Sequence, residues 1–189
     1  MESALIVTLT QKSIEFFTEM LNAASFGQIA TVQSCGEARR LLMERDFDLV
    51  IINAPLRDET GEDLARHVAA QGTSQVILVV KSEYYDEISA NTEEDGVLTV
   101  AKPLNRSLFW ATLKLAKAAG AKLKRMQAEN SKLQQKIEDI RIIDRAKCLL
   151  ISYLKLSEQE AHRFLEKQAM DLRITKRAVA EGILKMYEN

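Results

Sequence analysis

Short, dense apolar runs punctuate the front of the chain. They are "ALIVTL" (Ala4–Leu9), "QIATVQ" (Gln28–Gln33), "FDLVII" (Phe47–Ile52), "QVILVV" (Gln75–Val80) and "GVLTVA" (Gly96–Ala101). Between them lie segments whose apolar residues recur at helical spacing: Lys12–Ala24, Gly36–Glu44, Glu62–Gln71 and Glu83–Glu93. Continuous β-branched runs alternating with amphipathic helices predict a parallel sheet buried on both faces, an α/β domain. Ser34 followed by Glu37 predicts a capping box for the second helix. Ligands and chemistry in such sheets sit beyond the carboxyl ends of the strands. That directs attention to Thr8–Thr10, Asn53–Arg57, Lys81–Ser82 and Lys102–Pro103.

After Pro103 the pattern changes. From Asn105 to Leu154 Gly120 is the only turn signal, so one long helix is predicted, started by Asn105 or Ser107. Leu108, Ala111, Leu115 and Ala118 are expected to close the front domain, and Gly120, about 1 kcal/mol worse than Ala in a helix, is a candidate kink. Further on, Leu123, Met126, Asn130, Leu133, Ile137 and Ile140 recur with heptad spacing. Asn130 would occupy an a position, a device that selects a register-locked parallel dimer. The stripe predicts a dimer seam; the other reading is a helix packed on its own chain.

The last third predicts a small bundle. The long helix should end near Tyr153–Leu154, and Ser157 with Glu160 supplies a second capping box. Ala161, Phe164, Leu165, Ala169 and Leu172 mark the next inward face. Thr175 should cap a final helix with Ala178, Val179, Ile183 and Leu184 inward, while Leu149, Leu150 and Tyr153 complete the core.

Composition adds a division of charge. The 189 residues carry a net charge of −1 and are 47% hydrophobic, enough for a real core. From residue 121 onward there are 15 Lys and Arg against 10 Asp and Glu; the remainder has 11 against 17. An acidic front and a basic back predict domains with different partners, a polyanion for the back. Arg145, Lys147, Arg163, Lys167, Arg173, Lys176 and Arg177 are its candidate contacts. Lys176 and Arg177 fall in a helix's first turn, against its dipole, a cost that a bound phosphate would relieve. No apolar run is long enough to span a membrane, and the two cysteines suggest no disulfide framework; a reduced cytoplasmic setting is expected. The separated histidines, His67 and His162, offer no metal or nucleophile constellation, so neither enzyme activity nor a metal or cofactor is expected.

Several of these residues carry a resemblance. The "DLVII" third strand, Gly61 eight residues past Asn53, and "AKPL" after the fifth strand resemble a response-regulator receiver domain, a flavodoxin-like five-stranded parallel sheet. That family places an acidic pair after strand one, a phosphorylatable Asp after strand three, a hydroxyl after strand four, an aromatic on strand five and a Lys after it. Here those positions hold Thr8 and Leu9, Asn53, Lys81, Thr99 and Lys102, so only the lysine survives. An Asn amide is no nucleophile, and without the acidic cluster Mg²⁺ has no ligand shell. Asp58 or Glu59 is a remote substitute acceptor; a pseudo-receiver is the expectation.

"RAKCLLISYLKLSEQEAHRFLEKQAMDLRITKRAVAEGIL" (Arg145–Leu184) resembles the ANTAR domain, a three-helix RNA-binding module, through Ala146, Lys147 and Leu150, Leu156–Ala161, Ala169–Met170 and Val179–Ala180. The family binds paired stem-loops in nascent messenger RNA and prevents a terminator from folding. The resemblance implies RNA contacts at Arg145, Lys147, Arg173, Lys176 and Arg177, with Tyr153 and Tyr187 either stacking on bases or lying in the core. Expected domains are a degenerate receiver (1–119), a coiled-coil linker helix (120–144) and an ANTAR-like bundle (145–189). Expected partners are hairpin-containing RNA, a second copy of the chain, and a regulatory protein or small ligand on the receiver. A DNA-binding response regulator and a dimeric scaffold without nucleic acid remain alternatives.

Overall fold

The structure is a computed structural model that describes residues 3–187. The chain divides into two compact units, Met1–Lys124 and Arg125–Asn189.

The first unit is built on five parallel strands, β1 (Ser3–Val7), β2 (Gln28–Val32), β3 (Leu49–Asn53), β4 (Gln75–Lys81) and β5 (Leu98–Lys102), in the order β2-β1-β3-β4-β5. Alternate residues of the central strands face opposite sides and both sides are covered, which is why these strands read as unbroken apolar runs. Leu5, Val7, Val50, Ile52, Leu78 and Val80 pack with α2 (Cys35–Glu44) and α3 (Glu62–Ala70) through Ala38, Leu64 and Val68. Ala4, Ile6, Leu49, Ile51, Ile77 and Val79 pack with α1 (Gln11–Ala23) and the start of α5 (Arg106–Leu154) through Phe17, Leu21, Phe109 and Leu113. Each large side chain buried this way contributes about 1.5–3 kcal/mol. Register sets the carboxyl edge: Asn53 pairs with Val79, and Lys81 pairs with Lys102.

Local chemistry shifts several expected boundaries. The first strand stops at Val7 rather than Leu9, and the third is displaced to end on Asn53. Helix α4 (Tyr85–Thr92) is shorter than Glu83–Glu93 and follows a single 3₁₀ turn, Ser82–Tyr84. The Ser34 hydroxyl caps α2, accepting from Glu37 N–H at 3.2 Å. Glu37 does not complete the predicted box; its carboxylate accepts from Gln33 N–H at 2.9 Å instead.

The inward face of early α5 is also not the expected one. Phe109, Leu113 and Ala116 are buried, while Leu108, Ala111, Leu115 and Ala118 are exposed. Both sets have helical spacing, and the large aromatic decides between them. Phe109 nests against Phe16 and Phe17 with ring centroids 5.6 and 5.1 Å away, geometry worth about 0.5–1.5 kcal/mol per pair beyond burial. Helix α5 remains helical through Gly120.

In the second unit, the end of α5 packs with α6 (Glu158–Leu172) and α7 (Lys176–Tyr187) around Ala146, Leu150, Ala161, Leu165, Ala169, Val179, Ala180 and Ile183. Ser157 and Glu160 form the reciprocal capping box, and the Thr175 hydroxyl accepts from Ala178 N–H at 3.1 Å. Phe164, Leu172, Tyr153 and Ala178, expected inward, are exposed. The buried face of α6 is the series Ala161, Leu165 and Ala169, which leaves Phe164 and Leu172 off the stripe.

Candidate functional site

The carboxyl edge of the sheet brings the expected pocket residues together. Thr8 is fully buried, and the Asn53 Nδ2 donates to Thr8 Oγ1 at 2.9 Å and to Ser13 Oγ at 3.1 Å. The Asn53 Oδ1 is buried without a hydrogen-bond partner among the described residues. Because hydroxyls donate as well as accept, the amide turned over keeps both bonds and presents an N–H in place of the orphaned oxygen. Lys102 Nζ donates to the Ala54 carbonyl, and Ser82 Oγ donates to the Lys102 carbonyl at 2.9 Å. Burial, and then the neighbouring charge of Lys81, hold the Lys102 ammonium below the usual lysine range. Lys81 is exposed and pairs with Glu83 at 3.4 Å.

Two expected pocket members do something else. Leu9 packs on the core cluster beneath α2 and α3. Thr99 sits back along β5, its hydroxyl 3.1 Å from that of Thr92, which in turn donates to the Ile88 carbonyl at 2.7 Å. A short polar chain thus ties β5 to α4.

The loop after β3 explains Asp58 and Glu59. The Asp58 carboxylate accepts from Cys35 N–H at 3.1 Å and Gly36 N–H at 2.9 Å, capping α2 from a distant part of the sequence. These N–H groups, Gly36 first, hold Asp58 below the usual carboxylate range. The Glu59 carboxylate accepts from both terminal nitrogens, Nη1 and Nη2, of the Arg39 guanidinium. Gly61 closes the loop at φ +90°, and a Cβ there would lie 2.9 Å from Ile52 Cγ2. Burial, its largest cause, pushes the Cys35 thiol up to about 12.

Mg²⁺ demands several hard oxygen ligands, normally including carboxylates. The edge supplies hydroxyls, an amide and two ammonium groups. Among the described residues no group of three or more His, Cys, Asp or Glu could hold a metal ion. The residues present do not fit the metal.

In the second unit, several of the expected polyanion contacts already have partners. Lys147 is bound to Asp144 at 2.8 Å and Glu158 at 3.1 Å, and the Asp144 bond raises its pKa. Lys176 reaches Glu166 at 3.0 Å; Arg177 reaches Asp139 at 2.7 Å and Glu181 at 2.8 Å. Carboxylates offset the two cations in the first turn of α7. Arg163, Lys167 and Arg173 are exposed and have no carboxylate within ion-pair distance among the described residues. Arg145 is exposed. Arg163, Lys167 and Met170 share one outward face of α6, with Met170 77% exposed. Tyr153, 60% exposed, lies 4.9 Å from the Tyr187 ring. Along α5, Met126, Leu133, Ile137 and Ile140 are 52–59% exposed, Leu123 is half-buried and Asn130 is exposed.

Comparison with known families decides what this arrangement is. Residues 4–114, more than half of the chain, match the response regulator receiver domain, and residues 131–184 match the ANTAR domain. The chain belongs to the response-regulator receiver family and carries an ANTAR domain. The transcriptional regulatory protein PdtaR of Mycobacterium tuberculosis is 24% identical over 166 residues, covering 88% of this chain and 81% of PdtaR. Among solved structures, the signal receiver domain of an HD domain-containing protein from Pseudomonas fluorescens has a TM-score of 0.58 at 19% identity, over 66% of this chain and 92% of that one. A CheY-like receiver from Methylobacillus flagellatus has a TM-score of 0.53 at 25% identity, over 61% and 98%. Asn53 therefore ends the third strand of a receiver fold.

Sequence reasoning missed the receiver's tertiary contacts: Ser13 on Asn53, Asp58 on α2, and Glu59 on Arg39. In the ANTAR unit it missed the acids. The Arg177–Glu181 and Asp144–Lys147 pairs were available as helical neighbours; Asp139 and Glu166 join partners on a different helix and gave no local signal. No helix among the described residues is long and apolar enough to cross a membrane.

Proposed function

We propose that this chain is an RNA-binding transcription antiterminator of response-regulator type. Two copies pair along Leu123, Met126, Asn130, Leu133, Ile137 and Ile140, and the homodimer offers two ANTAR bundles to paired stem-loops in nascent mRNA, keeping a terminator from forming. The observation that carries this reading is the ANTAR match over a bundle whose outward α6 face bears Arg163 and Lys167. Phosphates supply affinity through Arg163, Lys167, Arg173 and Arg145, and exposed loop bases supply specificity, with Tyr153 as a stacking surface. Lys147, Lys176 and Arg177 chiefly hold the helices together, and add to RNA binding only by exchanging a carboxylate for a phosphate.

The receiver (1–119) is not phosphorylated on aspartate and answers to a regulatory protein or a small ligand; residues 120–144 join it to the bundle (145–189). Asn53 and the missing metal ligands support this half of the proposal. The protein performs no catalytic step and works in the cytoplasm. The test is equilibrium binding of the full chain to a two-hairpin RNA, a single-hairpin RNA and duplex DNA of equal length at low salt. Tightest binding to the two-hairpin RNA is expected. Preference for the duplex would overturn the reading in favour of a DNA-binding regulator.

A further inference from the structure

In place of a carboxylate pocket, the edge of this receiver carries two lysines. Lys81 and Lys102 end adjacent strands in direct register, and neighbouring strands lie roughly 4.8 Å apart. The Lys102 ammonium is partly buried, and the Lys81 charge acts on it. The two ammonium groups are near enough for one charge to act on the other, and like charges repel unless something negative lies between them. The Glu83 carboxylate answers only Lys81, at 3.4 Å and in the open, where pairs are weak. Nor are the lysines' hydrogen bonds used up. Lys102 gives one N–H to the Ala54 carbonyl and retains others, and Lys81 meets only the Glu83 carboxylate among the described residues.

Room for a ligand exists at the same place. A hollow of about 360 Å³ is lined by Lys81, Ser82, Glu83, Lys102 and Pro103. Lys81 also lines a second cleft of about 410 Å³, walled by Pro55, Val80, Tyr84 and Ile88, with Glu62 and Glu87 among its polar groups. We infer that the lapsed phosphorylation pocket is a reversible binding site for a small oxyanion, a phosphate or a carboxylate, held between Lys81 and Lys102. The anionic head lies in the hollow and any organic body extends past Lys81 into the cleft. Glu62 and Glu87 disfavour a second negative group there, so the body is neutral or cationic. A compact ammonium suits this task because it presents a point charge to either oxyanion. No bond is made or broken.

This inference deepens the ligand-control half of the proposed function and rests on the receiver's not being phosphorylated. The test uses the ¹⁵N-labelled full chain at constant ionic strength, with chloride as the compensating anion. Sodium phosphate and sodium acetate are titrated in separate arms, which distinguishes the two oxyanion sources. Saturable amide shifts centred on Asn53, Lys81, Ser82 and Lys102 are expected in at least one arm. Lys81→Met and Lys102→Met should each weaken binding about tenfold, the effect of removing one charge-assisted hydrogen bond. Lys114→Gln on α5 should titrate like the parent. Lys81→Thr provides a second variant at an exposed position in case Lys102→Met fails to fold. Shifts spread over surface lysines without saturation, or a Lys81 variant that binds like the parent, would overturn the site. Hairpin-RNA binding measured on the same samples separates the two ideas: absence of saturable anion binding with RNA binding intact sinks only the anion site, and the converse sinks only the antiterminator reading.

Discussion

The receiver edge and the ANTAR bundle handle positive charge in opposite ways. At the edge, Lys81 and Lys102 are brought together, and among the described residues only exposed Glu83 answers them. In the bundle, Lys147, Lys176 and Arg177 are each matched to carboxylates within 3.1 Å. The less basic unit thus gathers cations without matching acid, and the more basic one uses several of its cations internally. A count of lysines and arginines locates neither available set; the partners do.

The largest expected effect concerns the seam. Leu133→Asp with Ile137→Asp removes two apolar side chains from each helix of the proposed pair, about 1.5–3 kcal/mol apiece. Sedimentation should show monomer, and affinity for two-hairpin RNA should fall with it. A variant that still sediments as a dimer would move the interface elsewhere.

Next is the contrast between paired and unpaired cations. Arg163→Gln, Lys167→Gln and Arg173→Gln together should weaken RNA binding on the order of 100-fold, and flatten its salt dependence by about 0.7 in slope for each phosphate no longer neutralised. Lys176→Gln, whose ammonium already faces Glu166, should weaken it less than about tenfold. Equal effects would erase the distinction between the two sets.

Gly61→Ala should affect the receiver alone. The added Cβ meets Ile52 at 2.9 Å on a backbone with φ +90°, which should destabilise that unit by about 2–3 kcal/mol. Thermal unfolding followed at a receiver probe should drop, while helical signal from the bundle holds.

The smallest effect is a pH dependence. Asp58 has a lowered folded-state pKa, so its contribution is complete above the unfolded value of about 3.9 and disappears as pH falls through the lower folded one. Asp58→Asn should lower stability at neutral pH and flatten the acid limb of the receiver's stability profile. An unchanged acid limb would mean that the cap on α2 contributes nothing.

How much of this was legible in the sequence depended on distance along the chain. The sheet could be read because buried parallel strands are continuous apolar runs, and Asn53 and Lys102 could be placed because strand ends are where such folds do chemistry. Caps carried by neighbours, Ser157 with Glu160 and Thr175 with Ala178, were equally visible. Early α5 was misread because two interleaved helical stripes compete there, and only the third dimension shows Phe16 and Phe17 waiting for Phe109. Asp58 could be read only as a remote substitute acceptor, since its Cys35 and Gly36 partners lie more than twenty residues away. The bundle's basic residues were seen, but Glu166 and Asp139 reach theirs across helices, and no periodicity announces that.

The central claim is that this protein grips folded transcripts without any phosphoryl signal. Crosslinking the full chain to RNA in cells that express it, then sequencing what is recovered, tests that most directly. The expected result is fragments enriched in paired stem-loops just upstream of terminators, undiminished in an Asn53→Ala strain. Recovery of no such fragments, or enrichment that vanishes with Asn53→Ala while the protein remains folded, would contradict it.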